Sequence, residues 1–249
     1  MPTKHLSTQF DAELQAISGQ VMAMGGLVEN QIAQAIHGLA SFAPDVADGV
    51  LLREAQVNLM EMEIDRDLSA IIARRQPAAI DLRLLIAMSK ITANLERVGD
   101  EAAKIARMAK SMHEQSAGIV MPTSDLSLEA QLASTLLRRA LDAFARLDAV
   151  EAQSIIASDD EIDLEFDGFV RKLVTYMMDD PRAISASLSL LFVAKAIERI
   201  GDHAKNLAEF TIYVVNGMDV RHASIAREDT TDQDAGAEKI EGSARPAVG

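Results

Sequence analysis

LLIAMSKITANLERVGDEAAKI at residues 84–105 and ASLSLLFVAKAIERIGDHAKNL at residues 186–207 decide the fold, because they carry one apolar pattern twice. The apolar residues of the first stretch step by four and three along the chain: Leu84, Met88, Ile91, Leu95, Val98, Ala102 and Ile105. The second stretch repeats those steps with Ala186, Leu190, Val193, Ile197, Ile200, Ala204 and Leu207. Such a heptad stripe lies on one side of an α-helix and favours helices packed about 20° from parallel.

The composition of the remaining chain is also typical of helices. Of its 249 residues only 13 are glycine and 6 proline, and 4% are aromatic, which favours helices over a sheet. Periodicity predicts six helices that end near residues 42, 75, 111, 147, 178 and 216, with Pro77 and Pro181 in the first turn of the third and sixth. We therefore predict an elongated all-α protein with an internal repeat, two tandem three-helix bundles at residues 5–113 and 124–217. Residues 223–249 are polar and acidic and are predicted to form a disordered tail.

The net charge of −14 and the absence of cysteine limit the possible functions. An acidic surface disfavours a nucleic-acid backbone or an anionic lipid surface as the main partner. Without cysteine the chain has no disulfide framework and no thiolate metal site. Residues 1–30 lack the pattern of a signal peptide, and no apolar run is long enough to span a bilayer. We expect a cytoplasmic protein that reaches a membrane only through its partners.

A repeated acidic motif lies beside each heptad stripe. Glu96-Arg97-Val98-Gly99-Asp100 returns 102 residues later as Glu198-Arg199-Ile200-Gly201-Asp202. Carboxylates four residues apart share a helix face, and their repulsion opposes helix formation by about 0.2–0.5 kcal/mol. A pair that recurs at matched positions suggests a hard cation as ligand. The alternative is a solvated face on which the arginine of each motif screens the acids. The glycine of each motif would let another backbone or a cation approach closely.

Further oxygen ligands recur at the same spacing on the predicted second and fifth helices: Glu54 with Asn58, Glu61 with Asp65, and Asp159 with Asp163 and Asp167. The last group has an alternative interpretation, because Ser158 and Glu161 match a capping box at a helix start. The Glu-x-x-His pairs of a di-iron oxidase are missing from the sequence. His203 follows an acid of the motif, but we interpret it as a surface histidine.

Several ordered motifs together resemble the PhoU family, the phosphate-specific transport system accessory proteins. The resemblance covers residues 5–222. It rests on Arg75-Gln76-Pro77, Asp81-Leu82-Arg83, Leu95-Glu96-Arg97-Val98-Gly99-Asp100, Ile162-Asp163-Leu164-Glu165-Phe166-Asp167, Tyr176-Met177-Met178-Asp179-Asp180-Pro181, Ile197-Glu198-Arg199-Ile200-Gly201-Asp202 and Gly217-Met218-Asp219-Val220-Arg221-His222. It implies two tandem three-helix bundles in a protein that is often a homodimer.

The resemblance also implies metal clusters on the second and third helix of each repeat. The expected ligands are Asp159, Asp163, Glu198 and Asp202 in the second repeat, and Glu54, Asn58, Glu96 and Asp100 in the first. The cofactors would be divalent or trivalent metal ions, with Fe, Zn, Mn and Mg as the candidates. Asn58 stands where an aspartate is common in the family, so we expect the first site to bind more weakly or to hold fewer ions.

The function that the resemblance implies is regulation of phosphate homeostasis without catalysis. Such a protein represses the phosphate-starvation response and restrains uptake by linking the phosphate ABC importer, through its ATPase subunit, to a sensor histidine kinase. Arg75, Asp81 and Arg83 are candidates for contacting these partners, although an ion-pair cluster at a helix start explains them equally well. The alternative function is a metal-dependent hydrolase or oxidase with a two-metal carboxylate site.

Overall fold

A computed structural model describes residues 8–41, 44–115, 122–218 and 220, and every secondary-structure element in these residues is helical. The α-helices are α1 (Thr8–Ser41), α2 (Pro44–Arg75), α3 (Ala79–Gln115), α4 (Ser127–Arg146), α5 (Ala149–Ser158), α6 (Asp160–Asp179) and α7 (Ile184–Asn216). Two 3-10 turns, Thr123–Leu126 and Pro181–Ala183, precede α4 and α7. The all-α prediction is confirmed, whereas the predicted tail at residues 223–249 lies outside the described residues.

The two heptad stripes form the centre of the core. Every stripe residue of α7 is buried, and so is every stripe residue of α3 except Leu84, which is partly buried and packs against the core. The helices α3 and α7 pack on each other, and α1 and α2 cover α3 while α4, α5 and α6 cover α7. The apolar pattern therefore predicts correctly which face of each central helix points inward.

The helix boundaries near two prolines differ in their agreement with the sequence. Pro181 opens a 3-10 turn that leads into α7, as predicted, and Asp180 caps it by accepting a hydrogen bond from the Arg182 N–H at 3.0 Å. Pro77 does not lie in the first turn of α3, which begins at Ala79. The reason is that Ala79 has a left-handed φ of 49°, so the backbone at Pro77 does not continue in helical geometry into α3.

The predicted fifth helix is interrupted at Asp159, between α5 and α6. Asp159 keeps helical dihedral angles, but its carbonyl accepts the Ile162 N–H at 3.0 Å, which is the tighter i to i+3 spacing. Its carboxylate is buried and paired with Lys205 of α7. The described residues thus contain the six predicted long helices, with α5 and α6 as the two parts of the fifth.

The motif glycine Gly201 marks a close approach between α7 and α6. A Cβ atom at Gly201 would lie 2.6 Å from Ile162 Cδ1, closer than packed carbon atoms come. A Cβ atom at Gly99, the matching glycine of α3, would lie 3.3 Å from both Val57 Cγ1 and Gln31 Oε1. Neighbouring helices therefore do approach both glycines closely, but the atoms that lie against them belong to side chains and not to a backbone.

A polar contact joins α3 to α7 across the two halves. His203 Nδ1–H donates to Asn94 Oδ1 at 2.9 Å, and the Asn206 amide donates to the same oxygen at 3.2 Å. Arg199 of the second motif also pairs with Glu101 of α3 at 2.9 Å. The interpretation of His203 as a surface histidine is wrong, because its ring is half-buried and hydrogen-bonded across this interface. Burial, with the nearby Arg97 and Arg199 charges, lowers the pKa of His203 to about 4.

None of the helices in the described ranges combines the length and the apolar character that crossing a membrane requires.

Replacing His203 by glutamine should change how stability depends on pH. In wild type the folded state keeps His203 neutral, while the unfolded chain takes up a proton below its ordinary pKa of 6.5. His203 therefore costs stability as pH falls from 6.5 towards 4, by about 1 kcal/mol at pH 5.5. Between pH 7.5 and 5.5, His203→Gln should lose less unfolding free energy than wild type in urea titrations. His37→Gln, at an exposed position on α1, is the control, and equal losses in all three proteins would contradict the assignment.

Replacing Gly201 by alanine should destabilise the protein, whereas Gly168→Ala should stabilise it. A Cβ atom at Gly168, on the exposed side of α6, would meet nothing within 4 Å, so this substitution gains about 0.5–1 kcal/mol of helix propensity. At Gly201 the same gain is outweighed by displacement of Ile162, for a net loss of about 1 kcal/mol. Thermal unfolding of both variants measures the difference, and an equal gain at both positions would show that α6 and α7 are not closely packed there.

Candidate functional site

The predicted ligands of the second repeat meet where α6 packs on α7. We call Asp159, Asp163, Glu198 and Asp202 the second acidic cluster. Asp159 and Glu198 are buried, with 4% and 9% of their surface exposed, and Asp163 and Asp202 lie at the solvent edge. The buried stripe of α7 places Glu198 one residue past Ile197, on the flank that faces α6. The cluster therefore has a closed inner side and an open outer side.

The carboxyl groups of this cluster act on one another electrostatically. Burial, followed by the charges of Glu198 and Asp159, raises the pKa of Asp202 to about 6. The pKa of Asp163 is also raised, first by burial and then by the charges of Asp159 and Glu198. Each group is thus harder to ionise because the others are near, which is the condition that a bound cation would relieve.

Two lysines neutralise part of the second acidic cluster. Lys195 Nζ pairs with Glu198 Oε1 at 2.6 Å, and Lys205 Nζ pairs with Asp159 Oδ2 at 2.7 Å. The other oxygen of Glu198, Oε2, is buried and has no hydrogen-bond partner within the described part of the chain. The lysines therefore leave part of the negative charge uncompensated.

One buried acid beside this cluster, Glu129 of α4, is missing from the sequence-predicted ligand set. It is 1% exposed, and burial followed by the charges of Glu198 and Glu165 raises its pKa to about 8. The only feature of the sequence that indicates burial of Glu129 is its position one residue before Ala130, on the apolar stripe of α4. Recognising that signal requires knowing how wide the buried face of α4 is.

The first acidic cluster consists of Glu54, Glu61, Glu96 and Asp100, from α2 and α3. Burial, then the charge and hydrogen bond of Glu54, raises the pKa of Asp100. The pKa of Glu96 is raised by burial and then by the charges of Asp100, Glu61 and Glu54. Arg107 Nη2 pairs with Glu54 Oε1 at 2.9 Å. The structure thus brings together three of the four predicted ligands and adds Glu61.

The fourth predicted ligand of the first repeat, Asn58, is exposed on α2. It lies one turn from Glu54 and is neutral, so it adds no repulsion to the first acidic cluster. Glu61 instead adds a negative charge to this cluster. Its own pKa is raised by burial and then by the charges of Asp65 and Asp100. The two clusters therefore differ in composition as well as in burial.

The capping-box interpretation of the α6 start is wrong. Ser158 Oγ donates to the Ser154 carbonyl at 2.9 Å, and α6 begins without a side-chain cap. The helical path through Asp159 leaves no free N-terminus for a box to cap. Asp167, the third acid of that run, is exposed two turns away from Asp159.

Oxygen donors alone make both clusters suitable for a hard cation. The burial and mutual repulsion that raise the pKa values of their acids, together with the orphaned Glu198 Oε2, fit a cation at these places. Among the described residues, however, no three His, Asp or Glu side chains are gathered tightly enough to ligate one ion as they stand. Binding would therefore require the carboxylates to rotate inward, and metal binding stays a prediction.

The three candidate partner-binding residues lie near the ends of α2, α3 and α7. Arg75 donates two hydrogen bonds of 2.9 Å to Glu13 of α1, and they lower the pKa of that glutamate. The Arg83 guanidinium packs against Gly217, the left-handed residue that ends α7, where a Cβ would lie 3.5 Å from Arg83 Cζ. Asp81 lies in the first turn of α3. Arg75 thus has a structural ion pair, and a role in partner binding stays a prediction for all three.

Comparison with known proteins places both repeats in one family. The family model for the PhoU domain matches residues 21–109 and 126–211. A Burkholderia sp protein named phosphate-specific transport system accessory protein PhoU homolog is 48% identical over 225 residues, covering 90% of this chain and 96% of that protein. The Escherichia coli K12 protein named phosphate-specific transport system accessory protein PhoU is 46% identical over 221 residues, covering 88% and 90%.

Solved structures agree with the sequence relatives. The crystal structure of PhoU from Pseudomonas aeruginosa is similar with a TM-score of 0.81 and 44% identity, covering 84% of this chain and all of that one. The phosphate transport system regulatory protein PhoU from Streptococcus pneumoniae is similar with a TM-score of 0.79 and 25% identity, covering 85% and 99%. The repeated helices, the paired acidic motifs and these matches together show that the chain belongs to the PhoU family.

Proposed function

We propose that this protein is a non-enzymatic regulator of phosphate homeostasis. In this proposal it represses the phosphate-starvation response and restrains uptake by linking the phosphate ABC importer to a sensor histidine kinase. The observation that carries the proposal is 46–48% identity, across about nine-tenths of the chain, to proteins named as phosphate-specific transport system accessory proteins. The Streptococcus pneumoniae relative, named as a regulatory protein, supports the same role.

The proposal includes metal ions at the two acidic clusters. A bound divalent or trivalent cation would supply positive charge that cancels the repulsion within a cluster. Glu198 and Asp202 would hold it from α7 and Asp159 and Asp163 from the α5–α6 segment. Glu54, Glu96 and Asp100 would do the same between α2 and α3, with Asn58 as a neutral oxygen donor. The cation would therefore fix the outer helix of each half to its central helix.

Catalysis is the competing explanation for such sites, and an assay separates the two. A two-metal hydrolase needs a water activated between paired ions, whereas a regulator needs only a stable surface. Phosphatase activity of the metal-loaded full chain on a phosphomonoester is the direct comparison. Turnover that disappears in Glu198→Gln/Asp202→Asn would favour the hydrolase over the proposed regulator.

The double variant Glu198→Gln/Asp202→Asn should lose at least half of the bound metal of the full chain, because only the first acidic cluster, the weaker site, stays intact. Each occupied site, at a metal concentration 100-fold above its Kd, should add about 2.7 kcal/mol, or roughly 5–10 °C in Tm. The variant should gain less, because one site is gone. Elemental analysis after dialysis and calorimetry in matched buffers measure both quantities.

The control for that variant is Glu63→Gln/Asp142→Asn, which removes the same charge from two exposed positions outside the clusters. It should keep the wild-type metal content and Tm shift. If the double variant in the second acidic cluster keeps the wild-type stoichiometry, the assignment of its ligands is wrong.

Immobilised full chain should retain both the importer's ATPase subunit and the sensor kinase from purified mixtures. The ATPase subunit of an unrelated ABC importer is the negative control. Asp81→Asn should weaken retention of at least one partner, since Asp81 lies in the candidate surface, while Asp142→Asn on α4 should not. Failure of wild type to retain either partner above the unrelated subunit would contradict the linking role.

A further inference from the structure

We infer that Glu129 of α4 is an additional ligand of the cation held by the second acidic cluster, so that this cation joins α4 to α6 and α7. The inference rests on the proposed metal binding at that cluster. With Glu129 as a ligand, the site would extend from the surface between α6 and α7 into the core that these two helices share with α4.

The first observation is that Glu129 is buried without any partner. Only 1% of its surface is exposed, and neither Oε1 nor Oε2 has a hydrogen bond within the described part of the chain. Buried polar atoms are almost always hydrogen-bonded, and an unpaired buried carboxyl group costs several kcal/mol. A side chain of this kind needs a compensating group.

The second observation is that one of the two charged groups acting on Glu129 is a member of the second acidic cluster. The charges that affect it are those of Glu198 on α7 and Glu165 on α6, and both are negative. Glu198 Oε2 is itself buried and unpaired, because Lys195 engages only Oε1. Two buried carboxyl groups that repel each other, one on α4 and one on α7, therefore carry three oxygens with no hydrogen-bond partner within the described part of the chain.

A cation satisfies this arrangement better than a proton does. A proton neutralises Glu129 but can satisfy only one of the orphaned oxygens as a donor. A hard divalent cation accepts six to eight oxygen ligands, so it can engage both carboxyl groups at once. The same ion would remove the repulsion between Glu129 and Glu198.

The third observation is that the first half of the chain has an apolar residue at the matching position. The buried positions of α1 recur 105 residues later in α4, for example Gly25 with Ala130, Val28 with Ala133 and Ile32 with Leu137. In this register Glu129 corresponds to Met24, which is 0% exposed. The repeat therefore accepts an ordinary core side chain here, and the glutamate is particular to the second half.

The test compares Mn²⁺ binding by full chains that carry Glu129→Gln or Glu129→Met. The methionine variant places in α4 the side chain that α1 has at Met24, so it should fold even if the glutamine variant does not. All titrations use the Glu96→Gln/Asp100→Asn background, so that the second cluster alone is measured. Isothermal calorimetry gives Kd, and the Mn²⁺-induced change in Tm is the second readout.

Both Glu129 variants should raise the Kd for Mn²⁺ at least tenfold and reduce the Mn²⁺-induced rise in Tm. Asp142→Asn, an exposed acid on the same helix, should leave both unchanged. If the background protein binds Mn²⁺ and the Glu129 variants bind it with the same Kd, the inference is overturned while the proposed metal site stands. If the background protein itself binds no Mn²⁺, the second metal site falls, and the inference falls with it.

Discussion

The packing of α3 against α7 is the constraint on which the rest of the structure depends. Their heptad stripes face inward, which fixes the rotation of each helix about its axis. Glu96 and Glu198 each follow a buried stripe residue, so this rotation directs them to the flank where the outer helix packs. The apolar core thus forces like charges together, and burial followed by this repulsion raises the pKa values of Asp202 and Glu96. A protein that only needed a stable bundle would gain by replacing these acids.

The two halves repeat the same backbone but solve this electrostatic problem differently. In the first, Arg107 pairs with Glu54, and the outer helix carries the neutral Asn58. In the second, two lysines pair with buried acids, a Cβ at Gly201 would displace the Ile162 δ-methyl group of α6, and Glu129 adds a further buried carboxyl group. The second site is therefore deeper, and we expect it to bind a cation more tightly than the first.

The sequence predicts the fold well because its signals are periodic. Heptad spacing identified the buried faces of α3 and α7, and a repeated motif located acids that the structure places together. Features that depend on distant contacts escaped prediction. Asp159 interrupts a helix while pairing with α7, and His203 is half-buried because α3 packs against it. Glu129 escaped because a glutamate beside an apolar stripe looks solvated until the packing on both sides is known.

The central claim is that the acids of the two clusters repel one another and that a cation removes this repulsion. Calorimetric melting of the metal-free full chain in increasing Mn²⁺, with ionic strength held constant by NaCl, tests it most directly. The account predicts that Tm rises with the logarithm of Mn²⁺ concentration once the Kd is exceeded. A Tm that follows ionic strength alone, and is the same in Mn²⁺ as in NaCl, would contradict it.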